Sequence, residues 1–268
     1  MHKNQKLPTS WLARAAWVAC FSSLVLPCAA APVLGSAAQF VVLGASAVTN
    51  TGATTLVGDL GVYPGTAISG IGTVVLTGSV HNHDAVAQLA QADAQTAYGV
   101  LAGQVPSATL TGQDLGGLTL FAGTYFFASA AQLTGTLTLD AQNDPDAQFI
   151  FQIGSTLITA SHAAVQVLHG SAKGVYWQVG SSATFGDSTL FAGSVLADQS
   201  ITLNRAATLL CGRAIALHAA VTMDNNTLSN QCPNAGGTVP EPATWALTGA
   251  ALLLLVPRRR SPRRWAAI

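Results

Sequence analysis

The stretch Phe149-Ile-Phe-Gln-Ile-Gly-Ser155 decides the fold, because it recurs 26 positions later as Val175-Tyr-Trp-Gln-Val-Gly-Ser181. A second pair of segments, Ser200-Ile-Thr-Leu-Asn204 and Ala220-Val-Thr-Met-Asp224, is separated by 20 positions. In these segments apolar residues alternate with small or polar residues, a period of two that is typical of short β-strands. Repeats of 20 to 26 residues built from such strands predict the coils of a β-solenoid. A β-sandwich is the main alternative, and a propeller would need a longer repeat.

One segment departs from this period and predicts a helix at about 84–103. It is rich in alanine, and its apolar residues recur near helical spacing. They are Val86, Leu89, Ala90, Ala97, Val100 and Leu101. Asp84 is the predicted N-cap, and Pro106 prevents much continuation. We expect the apolar stripe of this helix to lie along the solenoid and to cover part of its wall.

The charges are distributed unevenly along a chain whose formal net charge is zero. Between residues 32 and 238 only Lys173, Arg205 and Arg213 are basic, against ten aspartates. Three cations cannot neutralise a phosphate backbone, so nucleic acid is excluded as a partner.

Both ends of the chain have the pattern of targeting segments. Residues 1–31 combine early basic residues, an apolar run over 15–26 and a small-residue stretch, which predicts a secretory signal peptide removed by signal peptidase. A membrane anchor is the alternative. Near the other end, Pro240, Glu241 and Pro242 precede an apolar run over 243–256 and a cluster of arginines. This run is marginal for crossing a bilayer, and the arginines would hold its end at the cytoplasmic face.

The C-terminal order of elements resembles the PEP-CTERM sorting signal. The resemblance covers residues 239–268 and implies a short transmembrane helix, transient association with the inner membrane and removal by an exosortase. It implies release to the surface or exopolysaccharide matrix of a Gram-negative bacterium. A permanent tail anchor is the alternative. The predicted mature domain is then 32–238.

Two cysteines, Cys211 and Cys232, remain after removal of both ends. In an oxidising compartment they could pair, which would stabilise the fold by about 3 kcal/mol. Two unpaired thiols remain the alternative, since spacing in sequence does not show that the Cα atoms are close.

The clusters that could carry chemistry have simpler explanations. In His81-Asn82-His83-Asp84 the two histidines could share a metal, but the sequence does not locate the further ligand that a site needs. A turn followed by Asp84 as a helix cap is the simpler explanation. Asp144 and Asp146 flank Pro145 in a predicted turn, whereas a hydrolase would need paired carboxylates on one wall. We therefore predict no catalytic residue, no metal and no cofactor.

The order of segments through the middle of the chain resembles the ice-binding-like β-solenoid family. The motifs include Leu43-Gly-Ala-Ser-Ala-Val-Thr-Asn-Thr-Gly-Ala-Thr54, Gly58-Asp-Leu-Gly-Val-Tyr-Pro-Gly65, Leu133-Thr-Gly-Thr-Leu-Thr-Leu-Asp140 and the 149–155 and 175–181 segments. The resemblance covers about residues 35–230. It implies a mainly β fold, a discontinuous right-handed β-solenoid of triangular section with one long α-helix packed alongside.

The resemblance also implies a function, which is adsorption of a flat solenoid face rich in Thr and Ser to an ice surface. Alternation with the inward residues Phe185, Leu209, Val221 and Met223 leads us to assign seven residues to that face. They are Thr51, Thr54, Ser161, Thr184, Ser188, Thr208 and Thr222.

Three residues interrupt this pattern: Asp187, Arg205 and His162. If they lie on the face, their tightly held water favours the alternative function, an adhesion module that binds extracellular polysaccharide in the matrix without ice activity. If they lie at a corner, ice binding is unaffected.

Overall fold

The computed structural model describes residues 34–232, so the predicted signal peptide and the predicted sorting segment lie outside the described residues. Three parallel sheets, A, B and C, form the walls of a β-solenoid with a triangular cross-section, and one helix lies alongside. The β-solenoid prediction is confirmed, and the sandwich alternative is wrong. Within residues 34–232 no helix is both long and apolar enough to cross a bilayer.

Strand numbers follow the chain, whereas the order of strands within each sheet is their order in space. Sheet A contains β7 (Val80–Asn82), β4 (Asp59–Val62), β1 (Phe40–Gly44), β22 (Ala214–Ala216), β19 (Ser194–Ala197), β16 (Val175–Val179), β13 (Phe149–Ile153), β10 (Gly123–Phe127) and β8 (Ala108–Thr109). Sheet B contains β11 (Ala131–Leu133), β14 (Leu157–Thr159), β17 (Ala183–Phe185), β20 (Ile201–Leu203), β23 (Val221–Asp224), β2 (Ala47–Thr51) and β5 (Ala67–Ser69). Sheet C contains β6 (Val74–Thr77), β3 (Thr54–Val57), β24 (Thr227–Ser229), β21 (Thr208–Leu210), β18 (Leu190–Ala192), β15 (Ala164–Leu168), β12 (Thr136–Asp140) and β9 (Thr119–Phe121). Helix α1 spans Ala85–Ala102, and short 3-10 helices span Gly35–Gln39, Ile71–Thr73 and Ala172–Gly174.

The sequence repeats correspond to neighbouring coils. β13 pairs in parallel with β16, and Phe149 lies opposite Val175. β20 pairs with β23, and Ile201 lies opposite Val221. The offsets of these pairs equal the two repeat lengths, so the repeats place equivalent residues at equivalent positions of adjacent coils.

The interior of the solenoid is a continuous apolar core with an aromatic stack on sheet A. Tyr125, Phe151 and Trp177 lie on successive strands, with ring centroids 5.5 Å and 3.9 Å apart. The indole Nε1 of buried Trp177 donates a hydrogen bond to the Ala192 carbonyl at 3.1 Å. Stacked aromatic pairs stabilise by about 0.5–1.5 kcal/mol beyond their buried area, so this stack stabilises the packing of neighbouring coils.

The N-terminal coils stack on the C-terminal coil, which makes the solenoid discontinuous in sequence. In all three sheets a strand of the first coil pairs with a strand of the last: β1 with β22, β2 with β23 and β3 with β24. The chain must then pass from β7 to β8, at opposite ends of the nine-stranded sheet A and about 38 Å apart. The 18 residues of α1 cover about 27 Å of that distance.

Helix α1 packs on the outer surface of sheet A through small residues. Its buried residues are Ala87, Ala90, Ala94, Ala97 and Leu101. The last four of these pack in an apolar cluster that includes Phe40, Leu43, Ile150, Leu196 and Ile215. The apolar stripe predicted from sequence is therefore wrong in part, because Val86, Leu89 and Val100 are exposed. The short side chains of alanine allow the helix axis to approach the sheet closely. The face of α1 that packs on sheet A is therefore the one rich in alanine.

Both ends of α1 are capped by side chains. Asp84 is the N-cap, as expected, and its Oδ1 accepts a hydrogen bond from the Ala87 amide at 2.8 Å. This bond, with a second from His81, lowers the pKa of Asp84. At the other end, the Gln152 amide nitrogen donates to the carbonyls of Leu101 at 2.7 Å and Gln104 at 2.8 Å. Leu101 belongs to the last helical turn and Gln104 lies just beyond the helix, so one side chain of the sheet satisfies carbonyls that have no partner within the helix.

The corner between sheets B and C contains one left-handed residue in each of several coils. His162, Ser188, Ala206 and Asn225 have φ between 56° and 62°, and Gly52 has φ 74°. A left-handed residue turns the chain sharply, so the alternation of inward and outward side chains starts anew on the next strand. Counting by twos through this corner therefore gives the wrong face.

The corner between sheets C and A contains a disulfide. Cys211 and Cys232 are bonded, with Cα atoms 4.3 Å apart. The bond joins the turn before β22 to the segment after β24.

Candidate functional site

Two of the three outer walls are accessible. Sheet A is covered by α1, and strands β1 and β13 are buried over their whole length. Sheets B and C have one face on the core and the other toward solvent. The candidate site must therefore lie on the outer surface of sheet B or of sheet C.

The centre of sheet B presents one outward residue from each strand, which we call the central row. In spatial order it consists of Gln132, Ile158, Thr184, Thr202, Thr222, Thr49 and Ser69. Five consecutive strands therefore carry a hydroxyl at the same position. Strands lie about 4.8 Å apart in a sheet, so these hydroxyls form a regular line.

A second line of small residues, the flanking row, lies two positions before the central row along the chain, at the first residue of a strand or just before it. It contains Thr156, Ser182, Ser200, Ala220, Ala47 and Ala67. Ser200 Oγ donates a hydrogen bond to Ser182 Oγ at 3.0 Å. Rows on the same face lie about 6.7 Å apart. Together the two rows form a flat array of hydroxyl and methyl groups without a charged side chain.

The array is rigid because the residues between its outward positions are tightly packed inside. Val221, Ile201 and Ala183 are fully buried beneath the sheet. The hydroxyl and methyl groups of the two rows offer neither a strong nucleophile nor a strong acid. Such a surface can bind an extended, repetitive partner through many weak contacts, at little cost in conformational entropy.

Sheet C is less regular. It has a shorter hydroxyl line, Thr208, Thr227 and Thr55, on three successive strands. This line ends at Leu190 on one side and Val75 on the other, whose side chains are 56% and 66% exposed. These protruding side chains enclose a line of only three hydroxyls on both sides. On sheet B the line has five hydroxyls and a large apolar side chain at one end only, Ile158, so sheet B is the stronger candidate.

The seven residues assigned to the face from sequence do not lie on one surface. Thr184 and Thr222 belong to the central row of sheet B, and Thr51 lies at the exposed end of β2. Ser161 and Ser188 lie in turns between sheets B and C, and Thr208 lies on sheet C.

The assignment of Thr54 to an exposed face is wrong. Its side chain is 1% exposed, and its hydroxyl donates to Asn50 Oδ1 at 2.6 Å. The same hydroxyl accepts a hydrogen bond from the Asn226 amide at 3.0 Å. The corner at Gly52 lies between Thr51 and Thr54 and resets the alternation of inward and outward side chains. The side chain of Thr54 therefore points inward, where it satisfies buried polar groups.

Four residues whose hydroxyls lie at the centre of the array were missed by sequence reasoning, two in the central row and two in the flanking row. They are Thr49, Thr202, Ser182 and Ser200. The 20-residue repeat contains the signal for Thr202, because it aligns that residue with Thr222. Thr49 could not be found this way, since it becomes a neighbour of Thr222 only when the first coil stacks on the last.

The three residues that interrupt the threonine pattern are outside both rows. His162, Asp187 and Arg205 lie in successive turns of the corner between sheets B and C. Backbone hydrogen bonds of 2.9 Å stack these turns, from the His162 amide to Asp187 and from the Ser188 amide to Arg205. Their polar side chains therefore border sheet B and do not interrupt its array.

The His/Asp cluster before α1 is engaged in local contacts. His81 Nδ1 lies 2.8 Å from Asp84 Oδ2, and His83 Nδ1 lies 2.9 Å from the Pro64 carbonyl oxygen. Across residues 34–232 no group of three or more His, Cys, Asp or Glu side chains is arranged to hold a metal ion.

Comparisons with known proteins agree with this fold and surface. The family model described as Ice-binding-like matches residues 42–229. An ice-binding protein of Nostoc sp. (strain HG1) is 46% identical over 256 residues, covering 92% of this chain and 95% of the relative. The chain therefore belongs to the ice-binding-like family, a family of non-enzymatic binding proteins.

Solved structures show the same architecture. The crystal structure of an ice-binding protein from an Antarctic biological consortium superposes with a TM-score of 0.72 at 46% identity, covering 75% of this chain and 91% of that one. An ice-binding protein with antifreeze activity from an Arctic yeast superposes with a TM-score of 0.69 at 25% identity, covering 78% and 98%.

Proposed function

We propose that sheet B is the surface through which this chain, an ice-binding protein, adsorbs to ice. The observation that carries the proposal is the central row, in which Thr184, Thr202, Thr222, Thr49 and Ser69 occupy five consecutive strands. The spacing of about 4.8 Å along this row and the distance of about 6.7 Å to the flanking row are comparable to the spacings of water oxygens in ice.

The chemistry of threonine explains how the array works. The methyl groups hold the adjacent water weakly, while the hydroxyls fix the positions of individual water molecules. Water ordered in this way merges with the surface of the crystal. Each contact is weak, but the array is rigid before binding, so many contacts form together without a further ordering cost. Adsorbed protein then slows crystal growth and recrystallisation, with no turnover.

We also propose that the protein acts outside the cell. The Cys211–Cys232 disulfide supports an oxidising compartment, and the sequence pattern of residues 1–31 supports secretion through signal peptidase. The pattern of residues 239–268 supports sorting by an exosortase to the surface or exopolysaccharide matrix of a Gram-negative bacterium. Inner-membrane association through the C-terminal apolar run is then transient.

An ice recrystallisation assay with the purified chain tests the function, with bovine serum albumin as the blank. Thr202→Tyr should abolish inhibition, because a phenol ring protrudes from the centre of the flat array. Thr227→Tyr is the matched control, since it places the same ring on sheet C and should leave inhibition unchanged. Thermal unfolding of both variants should match wild type, because outward sites contribute little core packing.

Two outcomes would contradict the proposal. If both tyrosine variants inhibit recrystallisation fully while folded, the surface is not sheet B. If the wild-type chain itself is inactive, the matrix or adhesion role on the same fold replaces ice binding.

A further inference from the structure

One end of the solenoid is bounded by strands that pair on one side only. At this end, which we call the open end, β7, β5 and β6 are the outermost strands of sheets A, B and C. An outermost strand presents a row of unpaired amide and carbonyl groups, which proteins often protect with lysine or proline. The three strands contain neither residue, and within residues 34–232 no further strand pairs with them. The open end is therefore an unprotected template for another strand.

The apolar interior of the solenoid is partly uncovered at the open end. Val80 of β7 lies opposite Leu60, yet Leu60 is fully buried and Val80 is 45% exposed. Leu76 of β6 lies opposite Leu56 and is only half-buried, whereas Leu56 is fully buried. These inward residues of the last turn lack the neighbouring coil that covers their equivalents.

The open end has no charge that would repel a second copy of itself. Residues 60–83 contain no Asp, Glu, Lys or Arg. The opposite end of the solenoid is different, because the segment 110–118 folds over β11. There the Leu115 amide donates to the Gln132 carbonyl at 2.9 Å, and the Leu115 side chain is fully buried. Contact between two open ends would therefore close as a dimer and would not continue as a filament.

The backbone of β6 shows which of its groups face the open edge. The Gly58 amide donates to the Thr77 carbonyl at 2.9 Å, so Thr77 bonds toward β3. Alternate residues of a strand direct their amide and carbonyl groups to the same side, so Val75 also bonds toward β3. The amide and carbonyl groups of Val74 and Leu76 then point to the open edge. The side chain of Val75 points out from sheet C and is 66% exposed.

We propose that two copies of the chain associate through their open ends, about a two-fold axis beside β6. The chain climbs along the solenoid from β5 through β6 to β7, and an axis at the middle strand levels these steps. β6 then pairs antiparallel with β6 of the second copy, and β5 pairs with β7 of the second copy. A single coil-like end of the same triangular section satisfies all three edges at once.

The antiparallel pairing of β6 fixes which residues meet. The open-edge groups of Val74 bond to those of Leu76 in the second copy, and Val75 lies directly opposite its own equivalent. Val75 then belongs to a pair without hydrogen bonds, in which the Cα atoms lie about 4.5 Å apart. The association therefore covers the most exposed apolar side chain of β6 with the same side chain of the second copy.

The size of the open end sets the strength of the dimer. Its walls are strands of three or four residues, about 10–14 Å long. Two such ends bury less than the roughly 1,600 Å² of a standard interface, so the dimer is weak and dissociates on dilution. The contact lies across the end of the solenoid, so the outer face of sheet B stays accessible in both copies. The association does not depend on ice binding.

A cysteine at position 75 tests the pairing in the full chain. In Val75→Cys the two new thiols are about 4.5 Å apart at their Cα atoms, within the range that a disulfide spans. Leu190→Cys is the matched control, because Leu190 is 56% exposed on the outer face of the same sheet. Both variants keep the other cysteines of the chain. Under mild oxidation at high protein concentration, Val75→Cys should form covalent dimer about tenfold faster than Leu190→Cys, measured by non-reducing electrophoresis.

A second substitution shows whether the contact is at the open end. Val80→Lys, added to Val75→Cys, places like charges against each other and should slow cross-linking about tenfold. Val100→Lys, at a position 41% exposed on α1, should leave the cross-linking rate unchanged.

Either of two results overturns the association. One is equal cross-linking of Val75→Cys and Leu190→Cys, and the other is cross-linking that Val80→Lys does not slow. If circular dichroism shows that Val80→Lys is unfolded, Ile71→Lys replaces it, since Ile71 is 40% exposed in the turn between β5 and β6. Recrystallisation inhibition by the wild-type chain is a separate measurement, so failure of the dimer leaves the proposed function standing.

Discussion

Arg213 donates two hydrogen bonds to the carbonyl oxygen of Ala38, from Nε at 3.0 Å and from Nη2 at 2.8 Å, across 175 positions of sequence. Ala38 precedes the first strand of sheet A, and Arg213 precedes β22, the strand that pairs with it. The guanidinium also donates to Ser194 Oγ at 3.2 Å. This half-buried side chain therefore joins the first and last coils at the point where the solenoid is discontinuous.

Replacing Arg213 by lysine should weaken this junction. Lysine keeps the charge but cannot direct two parallel donors at one carbonyl while reaching Ser194. We expect the free energy of unfolding to fall by about 1–3 kcal/mol. Urea denaturation measures it, with Lys173→Arg as the control at an exposed position of the 3-10 helix Ala172–Gly174. An unchanged unfolding midpoint for Arg213→Lys would show that the junction is held by the strand pairing alone.

Thr54→Val should destabilise the fold without affecting ice binding at low temperature. The substitution keeps the shape but leaves Asn50 Oδ1 and the Asn226 amide without their partner. Each buried polar group left unpaired costs about 1–3 kcal/mol. Thr55→Val is the matched control, because Thr55 is the next residue and points to solvent. Thermal unfolding distinguishes the two, and equal melting temperatures would contradict the role assigned to Thr54.

Loss of the disulfide should lower stability by about 3 kcal/mol, the value expected for a closed loop of this length. The double variant Cys211→Ser with Cys232→Ser avoids leaving a free thiol. The melting temperature of this double variant should equal that of the wild-type chain measured in reducing agent. Two reactive thiols in the oxidised, denatured exported protein would show instead that the cysteines do not pair in the cell.

The contact between Ser36 and Asp93 should make stability depend on pH in acid. The Ser36 hydroxyl and amide both donate to Asp93 Oδ2, at 2.6 Å and 2.7 Å, and they lower the pKa of this carboxyl. A lowered folded-state pKa contributes stability above the ordinary aspartate pKa of about 4, and that contribution is lost as the pH falls through the lowered value.

Ser36→Ala removes the hydroxyl donor from this contact. Its melting temperature should therefore lie below that of wild type at pH 7, and the difference should shrink as the pH falls from about 5 to 2. Asp187→Asn, in an exposed turn, serves as the control. A constant difference between Ser36→Ala and wild type across that pH range would exclude the linkage.

A charged side chain should abolish ice binding if it lies on the array, whereas a charged side chain at the corner should have no effect. Thr222→Arg places a strongly hydrated group in the central row, where it holds water in an arrangement unlike ice. Arg205→Thr removes a charge from the corner and should leave recrystallisation inhibition within the error of wild type. If Arg205→Thr instead raises activity several-fold, the ice-binding surface extends around the corner onto sheet C.

The elements that could be predicted from sequence are those set by local patterns. The 26-residue and 20-residue repeats predicted the coils of the solenoid, because strands that pair in parallel and in register place equivalent residues one coil apart in the sequence. The N-cap at Asp84 followed from residue type and position. The apolar stripe of α1 was predicted less well, since Val86 and Leu89 are more hydrophobic than the alanines that the sheet buries.

The sequence by itself determined that this protein is a solenoid of short strands with one helix, because alternation and repeat length act within single strands and between adjacent coils. Only the tertiary structure decided which threonines share a surface. Thr49 and Thr222 are neighbours because the first coil stacks on the last, and Thr54 is buried because a left-handed residue at Gly52 resets the alternation. Stacking joins residues far apart in the chain and a corner rotates the next strand, so neither outcome follows from counting by twos.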